Sequence, residues 1–244
     1  MANGRVVWEG ESRLDGAPIV LIVTGFSQKS ANRKTGRMLQ SYILRRDVAP
    51  LEAVRIGLDT AVCGSCRHRS IASNGNGSCY VNIGHGPRAV YACYERGGYR
   101  ESSPAECVQE IAAGQLGLRV GSYGDPAAVP VAVWRSLLEA APWHTGYTHA
   151  WRGFAEFRGL LMASVDSGSE AREAIAGGWE YFRVAPRGDR QRVRGEARCP
   201  AAVESGQRVT CATCPIQCNG KRARLLGRVI QAHGPRANRF SAAN

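Results

Sequence analysis

The apolar run Pro18 to Val23, like every other in this 244-residue chain, is far short of the roughly 20 residues a membrane-spanning helix needs. No basic–apolar–small pattern opens the sequence, so a cytoplasmic protein without a membrane partner is expected. Neither G-x-G-x-x-G nor a P-loop follows any apolar run, which removes the usual signals for a dinucleotide or ATP. The order C-x3-C-x2-C is missing too, which disfavours radical chemistry with S-adenosylmethionine. Acids are scarce: 20 Asp and Glu face 32 Lys and Arg, for a net charge of +12.

That charge is unevenly placed. Between Arg187 and Arg239 stand twelve basic residues against three acids, a net +9 of the whole. Such a concentration is the footprint of a polyanion, and nucleic acid is the expected partner, DNA before RNA. Contacts are expected from Lys34 in the basic loop 27–36, from Arg37 beside it, and from Lys221, Arg222 and Arg224 of the tail, all phosphate-contacting types.

Nine cysteines in a chain expected in a reducing compartment read as ligands rather than disulfides. Cys199, Cys211, Cys214 and Cys218 follow C-x11-C-x2-C-x3-C, with Pro200, Pro215 and Gly220 as turn formers. Zinc and [4Fe–4S] both take four thiolates, and the spacing leaves both open. His233 is an alternative fourth zinc ligand to Cys199. Cys63, Cys66 and Cys79 form C-x2-C-x12-C, a candidate second metal site that Cys93 or His85 would complete. Cys93 and Cys107 fall on helical stretches and read as ordinary buried thiols.

Alternating strand and helix signals predict an α/β fold. Strands are expected over 17–24, 54–59, 118–123, 144–149, 159–166 and 179–184. Helices are expected over 38–46, 87–95, 104–114, 130–140, 169–176 (N-capped by Ser169) and 225–230. Short connections between the units favour a (β/α) barrel-like domain, complete or partial, over residues 1–186, with an open doubly wound sheet as the alternative. Residues 187–244 would be a basic, Cys-rich segment binding metal and nucleic acid.

In parallel α/β folds chemistry gathers at the carboxyl ends of strands. Those ends offer Asp59, Asp125 and Asp166 as catalytic carboxylates, and His149 and Arg183 as substrate contacts. Arg119 joins them from the 118–123 strand. A pair of carboxylates at one mouth can act as nucleophile and general acid/base on an N-glycosidic bond. Tyr147 or Trp151 would offer a base a stacking face. The bland reading of each Asp is a turn or cap residue, and of His149 a hydrogen-bonded core histidine.

The stretch Gly178 to Pro186, then a basic loop, then Cys199 to Cys218 and His233 is similar in order to the nucleophile strand, basic loop and zinc segment of the tRNA-guanine transglycosylase superfamily. The similarity is to its phage type, which inserts 7-deazaguanine bases into DNA. It covers about the last third of the chain. The resemblance implies a barrel enzyme exchanging guanine in phage DNA for a 7-deazaguanine base, at work in the host cytoplasm. The family's zinc motif is C-x-C-x2-C, whereas this chain has C-x2-C-x3-C. Where the family carries an aspartate nucleophile this chain has Arg183, so the role would pass to Asp166 or Asp59. Asn32 to Gly36, Cys63 to Cys66 and Thr210 to Cys214 are also similar to stretches of phage and plasmid proteins. Two other readings stay open: a metal-dependent nucleic-acid-binding protein of phage or plasmid replication with no catalysis, and an iron–sulfur enzyme acting on nucleic acid.

Overall fold

The computed structural model describes residues 3–27, 32–70, 74–202, 206, 209–221, 226–234 and 236–241. Lys29 of the basic loop and Arg222 and Arg224 of the tail lie outside them. The architecture is α/β. Ten strands form one sheet in the order β4-β1-β2-β3-β5-β6-β7-β8-β10-β9. In chain order they are β1 (Gly4–Glu11), β2 (Pro18–Thr24), β3 (Leu39–Arg45), β4 (Arg100–Glu101), β5 (Leu118–Tyr123), β6 (His144–Thr148), β7 (Met162–Val165), β8 (Tyr181–Ala185), β9 (Glu196–Arg198) and β10 (Gly227–Gln231). The α-helices are α1 (Pro50–Ile56), α2 (Thr60–Cys63), α3 (Gly86–Glu95), α4 (Pro104–Gly114), α5 (Val131–Ala140) and α6 (Gly168–Ala176). The first three strands run antiparallel to one another, and every pair from β3 to β9 is parallel.

β2 forms because its apolar run is buried on both faces between β1 and β3. β5 through β8 lie side by side in chain order, with α5 and α6 as crossovers, which is the order of a barrel wall. The sheet nevertheless has two ends, β4 and β9, and no ladder joins them among the described residues, so it is open. Its order advances from β1 to β8, with only β4 out of sequence at the β1 end, without the mid-sheet reversal of a doubly wound sheet, and turns back only at its far end, where β10 lies between β8 and β9.

Successive side chains of a strand face opposite sides. On one side Leu118, Val120, Ala163, Val165 and Tyr181 pack in a core with Cys107 and Ile111 of α4, Trp134 and Leu137 of α5, and Ala171 and Ala174 of α6. On the other side Met162, Phe182 and Ile230, flanked by Tyr147, pack in a smaller core against Cys199, Ala201, Ala202, Cys211 and Cys218. Helices therefore cover one face, and the cysteine segments cover the other.

Several elements differ from expectation. Residues 39–45 form a strand, not a helix: Leu39, Ser41, Ile43 and Leu44 are all buried because β2 and β5 flank them and both faces are covered. Residues 54–59 are not a strand. Pro50 opens α1, whose last turn runs into the left-handed Gly57, and Asp59 stands at the start of α2. Gly227–Gln231 is the strand β10 rather than part of a helix. Ser167, not Ser169, caps α6, accepting from the Glu170 N–H. The antiparallel β1 and the short β4 and β9 had no counterpart in the sequence reading.

Candidate functional site

The side chains on the cysteine-covered face alternate into a pocket of about 190 Å³, room for about six waters at the ~30 Å³ each holds in the liquid. Arg119, Gly121 and Tyr123 reach it from β5, Thr145 and Tyr147 from β6 with His149 just past its end, and Ser164 from β7; Phe182 and Val184 come from β8, and Arg228 and Ile230 from β10. Opposite them stand Cys63, Cys66 and Cys79 together with Cys199, Cys211, Cys214 and Cys218. The two cysteine groups are more than 100 residues apart in sequence, yet all seven thiols line one pocket.

Backbone hydrogen bonds fix the tail group. The Cys199 N–H donates to the Val229 carbonyl at 2.8 Å, the Cys211 N–H to the Lys34 carbonyl at 3.0 Å, and the Cys218 carbonyl accepts from the Gly146 N–H at 3.0 Å. Gly220, two residues on, has φ +71° and no room for a side chain, since an added Cβ would collide with the Leu161 backbone. Only glycine lets the segment lie this close to the sheet.

The first group is fixed by an ion pair. Cys63 ends α2, and the Cys66 N–H donates to the Cys63 carbonyl at 3.2 Å. The Arg69 guanidinium spans this turn, donating to the carbonyls of Gly57 and Gly64 at 2.9 Å each and to Asp59 Oδ1 at 2.6 Å. Asp59 and Arg69 are both buried. Cys79 donates its N–H to the His68 carbonyl at 3.1 Å, which brings it back beside the turn. Neither Cys93 nor His85 lines the pocket; Cys107 is buried in the helix-side core.

The three acids separate. Asp125 lines the pocket, with Oδ1 accepting from the Ala127 N–H at 3.0 Å and the Thr148 hydroxyl at 2.7 Å, and Oδ2 from the His149 N–H at 2.7 Å. Asp59 and Asp166 are not among the lining residues. Asp166 Oδ2 bonds His68 Nε2 at 2.8 Å, and His68 Nδ1 meets Ser78 Oγ at 2.6 Å. Burial alone would raise Asp166, but the His68 hydrogen bond and the His68 and His149 charges hold it below the usual carboxylate value.

His149 is exposed and lines the pocket. Its Nε2 meets Ser164 Oγ at 3.1 Å, and the Cys66 thiol is its second hydrogen-bond partner. Desolvation would lower the imidazole; the thiol and the Asp125 and Asp166 carboxylates overcome this and push it up to about 10. Burial and the neighbouring thiols push Cys63 well up, and burial pushes Cys79 up to about 11 and Cys218 up to about 12. Among the described residues one set of three donors draws within 4.8 Å: His68, His149 and Asp166. Both ring nitrogens of His68 in that set are already engaged.

At the tail side of the pocket Arg119 donates to the Tyr80 hydroxyl at 2.9 Å, and Lys34 Nζ meets His233 Nε2 at 3.0 Å. Tyr80 is 45% exposed, with its ring 5.9 Å from that of His233. Its exposed ring at the pocket is an aromatic face that no local sequence pattern singles out. Tyr147 is instead packed against Phe182, and Trp151 is buried against Trp179. Arg183 faces away from the pocket and is buried against Glu196. Arg37 and Lys221 are exposed. Compared with family models, with curated proteins and with solved structures, the chain matches none of them.

Proposed function

We propose that this chain is an iron–sulfur enzyme acting on nucleic acid. The observation that carries the reading is the convergence of two remote cysteine groups on one pocket. The donor chemistry fits: thiolates are the ligands such clusters take. Thiolates about 2.3 Å from one tetrahedral zinc stand about 3.8 Å apart, whereas no three thiols draw within 4.8 Å of one another among the described residues. Neither group is drawn in to the spacing of a single zinc site among the described residues. Cys199, Cys211, Cys214 and Cys218 would hold one cluster. Cys63, Cys66 and Cys79 would hold the other, with His149 as the fourth donor and Ser164 fixing the ring through Nε2, as a supporting group does for a ligating histidine.

Bound clusters supply one-electron chemistry, tuned by hydrogen bonds to sulfur and by burial. The chain's own side chains do the rest. Phe182, Val184 and Ile230 wall the pocket against water. Arg119 and Lys34 supply positive charge for a phosphate, and Tyr80 offers a base its face. Base exchange by a carboxylate nucleophile draws less support, because Asp125 alone lines the pocket and both its oxygens accept hydrogen bonds. A purely structural zinc site leaves the shared pocket without a role.

Anaerobic reconstitution with iron and sulfide, followed by metal analysis and electron paramagnetic resonance, tests the reading. A brown protein is expected, with Cys66→Ser and Cys211→Ser each losing the signal of a different cluster. Colourless protein carrying stoichiometric zinc would overturn it. Mass spectrometry of nucleosides from cells with and without the protein then identifies the modified base.

A further inference from the structure

A second cavity, of about 430 Å³, opens beside the thiol pocket between the β8–β9 loop and β10. Its lining includes Arg190, Arg192 and Arg198, and it shares Cys199 and Ile230 with the thiol pocket. The loop that bears Arg190 and Arg192, and that leads into β9 with Arg198 at its end, is built from within. Buried Arg183 reaches across from β8, donating from Nε and Nη2 to Glu196 at 2.9 and 2.7 Å and from Nη2 to the Gln191 carbonyl at 2.8 Å. Glu196 also accepts from the Val193 N–H at 3.2 Å, and Asp189 Oδ1 from the Gln191 N–H at 2.8 Å. The fold thus spends one arginine inside to hold the loop in shape, while Arg190, Arg192 and Arg198 remain exposed.

We propose that this groove seats the phosphate backbone of nucleic acid, with Arg190, Arg192 and Arg198 as its contacts. The inference rests on the nucleic-acid part of the function proposed above and adds where the strand lies. Planar guanidinium groups match phosphate oxygens two at a time. Two of them on one preformed loop and a third at the end of β9 suit a repeating phosphodiester better than a single anion. Asp189, the one acid in the lining, is turned toward Arg183, 3.8 Å away, and the Gln191 N–H. Because Cys199 and Ile230 form the wall between the two cavities, a backbone seated here places the adjoining nucleotide next to the thiol pocket.

The test is fluorescence anisotropy of full-length protein with labelled single-stranded DNA and RNA over a range of salt. The triple variant Arg190→Ala/Arg192→Ala/Arg198→Ala should keep the parent's melting temperature, since the three side chains are exposed. Its slope of log K against log salt should fall by up to about 2, at ~0.7 per lost contact on a single strand. The Lys triple variant should keep most of that slope. An unchanged slope in the Ala variant, with the parent still binding, would place the backbone elsewhere and overturn the groove. Displacement of oligonucleotide by inorganic phosphate at equal phosphate concentration would make it a small-anion site and overturn it too. If the parent binds no oligonucleotide at all, the nucleic-acid reading itself fails, and the groove with it.

Discussion

Replacing Glu196 by Gln tests whether the arginine loop is held from inside. The Arg183–Glu196 pair is bidentate, at 2.9 and 2.7 Å, with side-chain exposures of 5% and 0%. Gln keeps the shape and removes the charge, so the buried guanidinium loses its bidentate counter-ion and keeps only Asp189 at 3.8 Å. Breaking one side of such a pair costs about 3–5 kcal/mol, whereas replacing both partners with apolar residues is close to neutral. Glu196→Gln should therefore unfold at markedly lower denaturant, and Arg183→Met/Glu196→Leu should recover most of the loss. Chemical denaturation followed by circular dichroism measures both. The same variant should weaken oligonucleotide binding, because the Gln191 and Val193 anchors loosen with the pair. A single variant within about 1 kcal/mol of the parent, or a double variant worse than the single, would refute the reasoning.

Other outcomes follow from the same contacts. Asp59→Asn should remove the carboxylate from the buried Asp59–Arg69 pair, costing about 3 kcal/mol or more, and reconstituted protein should lose the Cys66-dependent signal before the Cys211-dependent one. Gly220→Ala should undock the tail group, read as new protease cleavage between residues 199 and 226 with the rest of the fold intact. Asp166→Asn should leave modified-base levels near the parent's if cluster chemistry operates; complete loss with an intact fold and intact clusters would favour a carboxylate nucleophile. His144 is buried against the Leu160 carbonyl, at 2.8 Å, and its pKa lies below the ordinary 6.5 because burial penalises its charged form. Its folded-state pKa being the lower one, its contribution is present above pH 6.5 and is lost as pH falls through that window. His144→Gln should flatten that part of a melting-temperature profile.

How far the sequence could be read depends on where each signal originates. The run 17–24, the Pro-started 104–114 helix and the alternation from residue 118 to 185 come from local patterning, and they match the fold closely. The misread segments are those where packing overrides local pattern. Leu39, Tyr42 and Ile43 fit a helical face, but the segment is covered on both sides, so its apolar residues carry no period of two. Val54 and Ile56 suggested a strand by β-branching, whereas Pro50 and the left-handed Gly57 bound a short helix. In the site, the spacing of each cysteine group was legible and their meeting was not, because it depends on the crossover that brings Cys199, Cys211, Cys214 and Cys218 back over the sheet. His68 stands between two arginines in a loop and gives no local sign that it is buried against Asp166. Arg190, Arg192 and Arg198 entered the sequence reading as charge and were located only by the groove.

The placement of β9 and β10 has a further consequence. β10 inserts between β8 and β9, so the tail cysteines ride on a crossover within the main sheet. A chain ending at residue 186 would leave β8, with Tyr181, Phe182 and Val184, as a bare edge. Unpaired N–H and C=O groups along an apolar strand are a template for another copy to join. Such a truncation should self-associate through its sheet instead of yielding a tidy catalytic half, and residues 187–244 alone would lack the strand against which β10 forms its ladder.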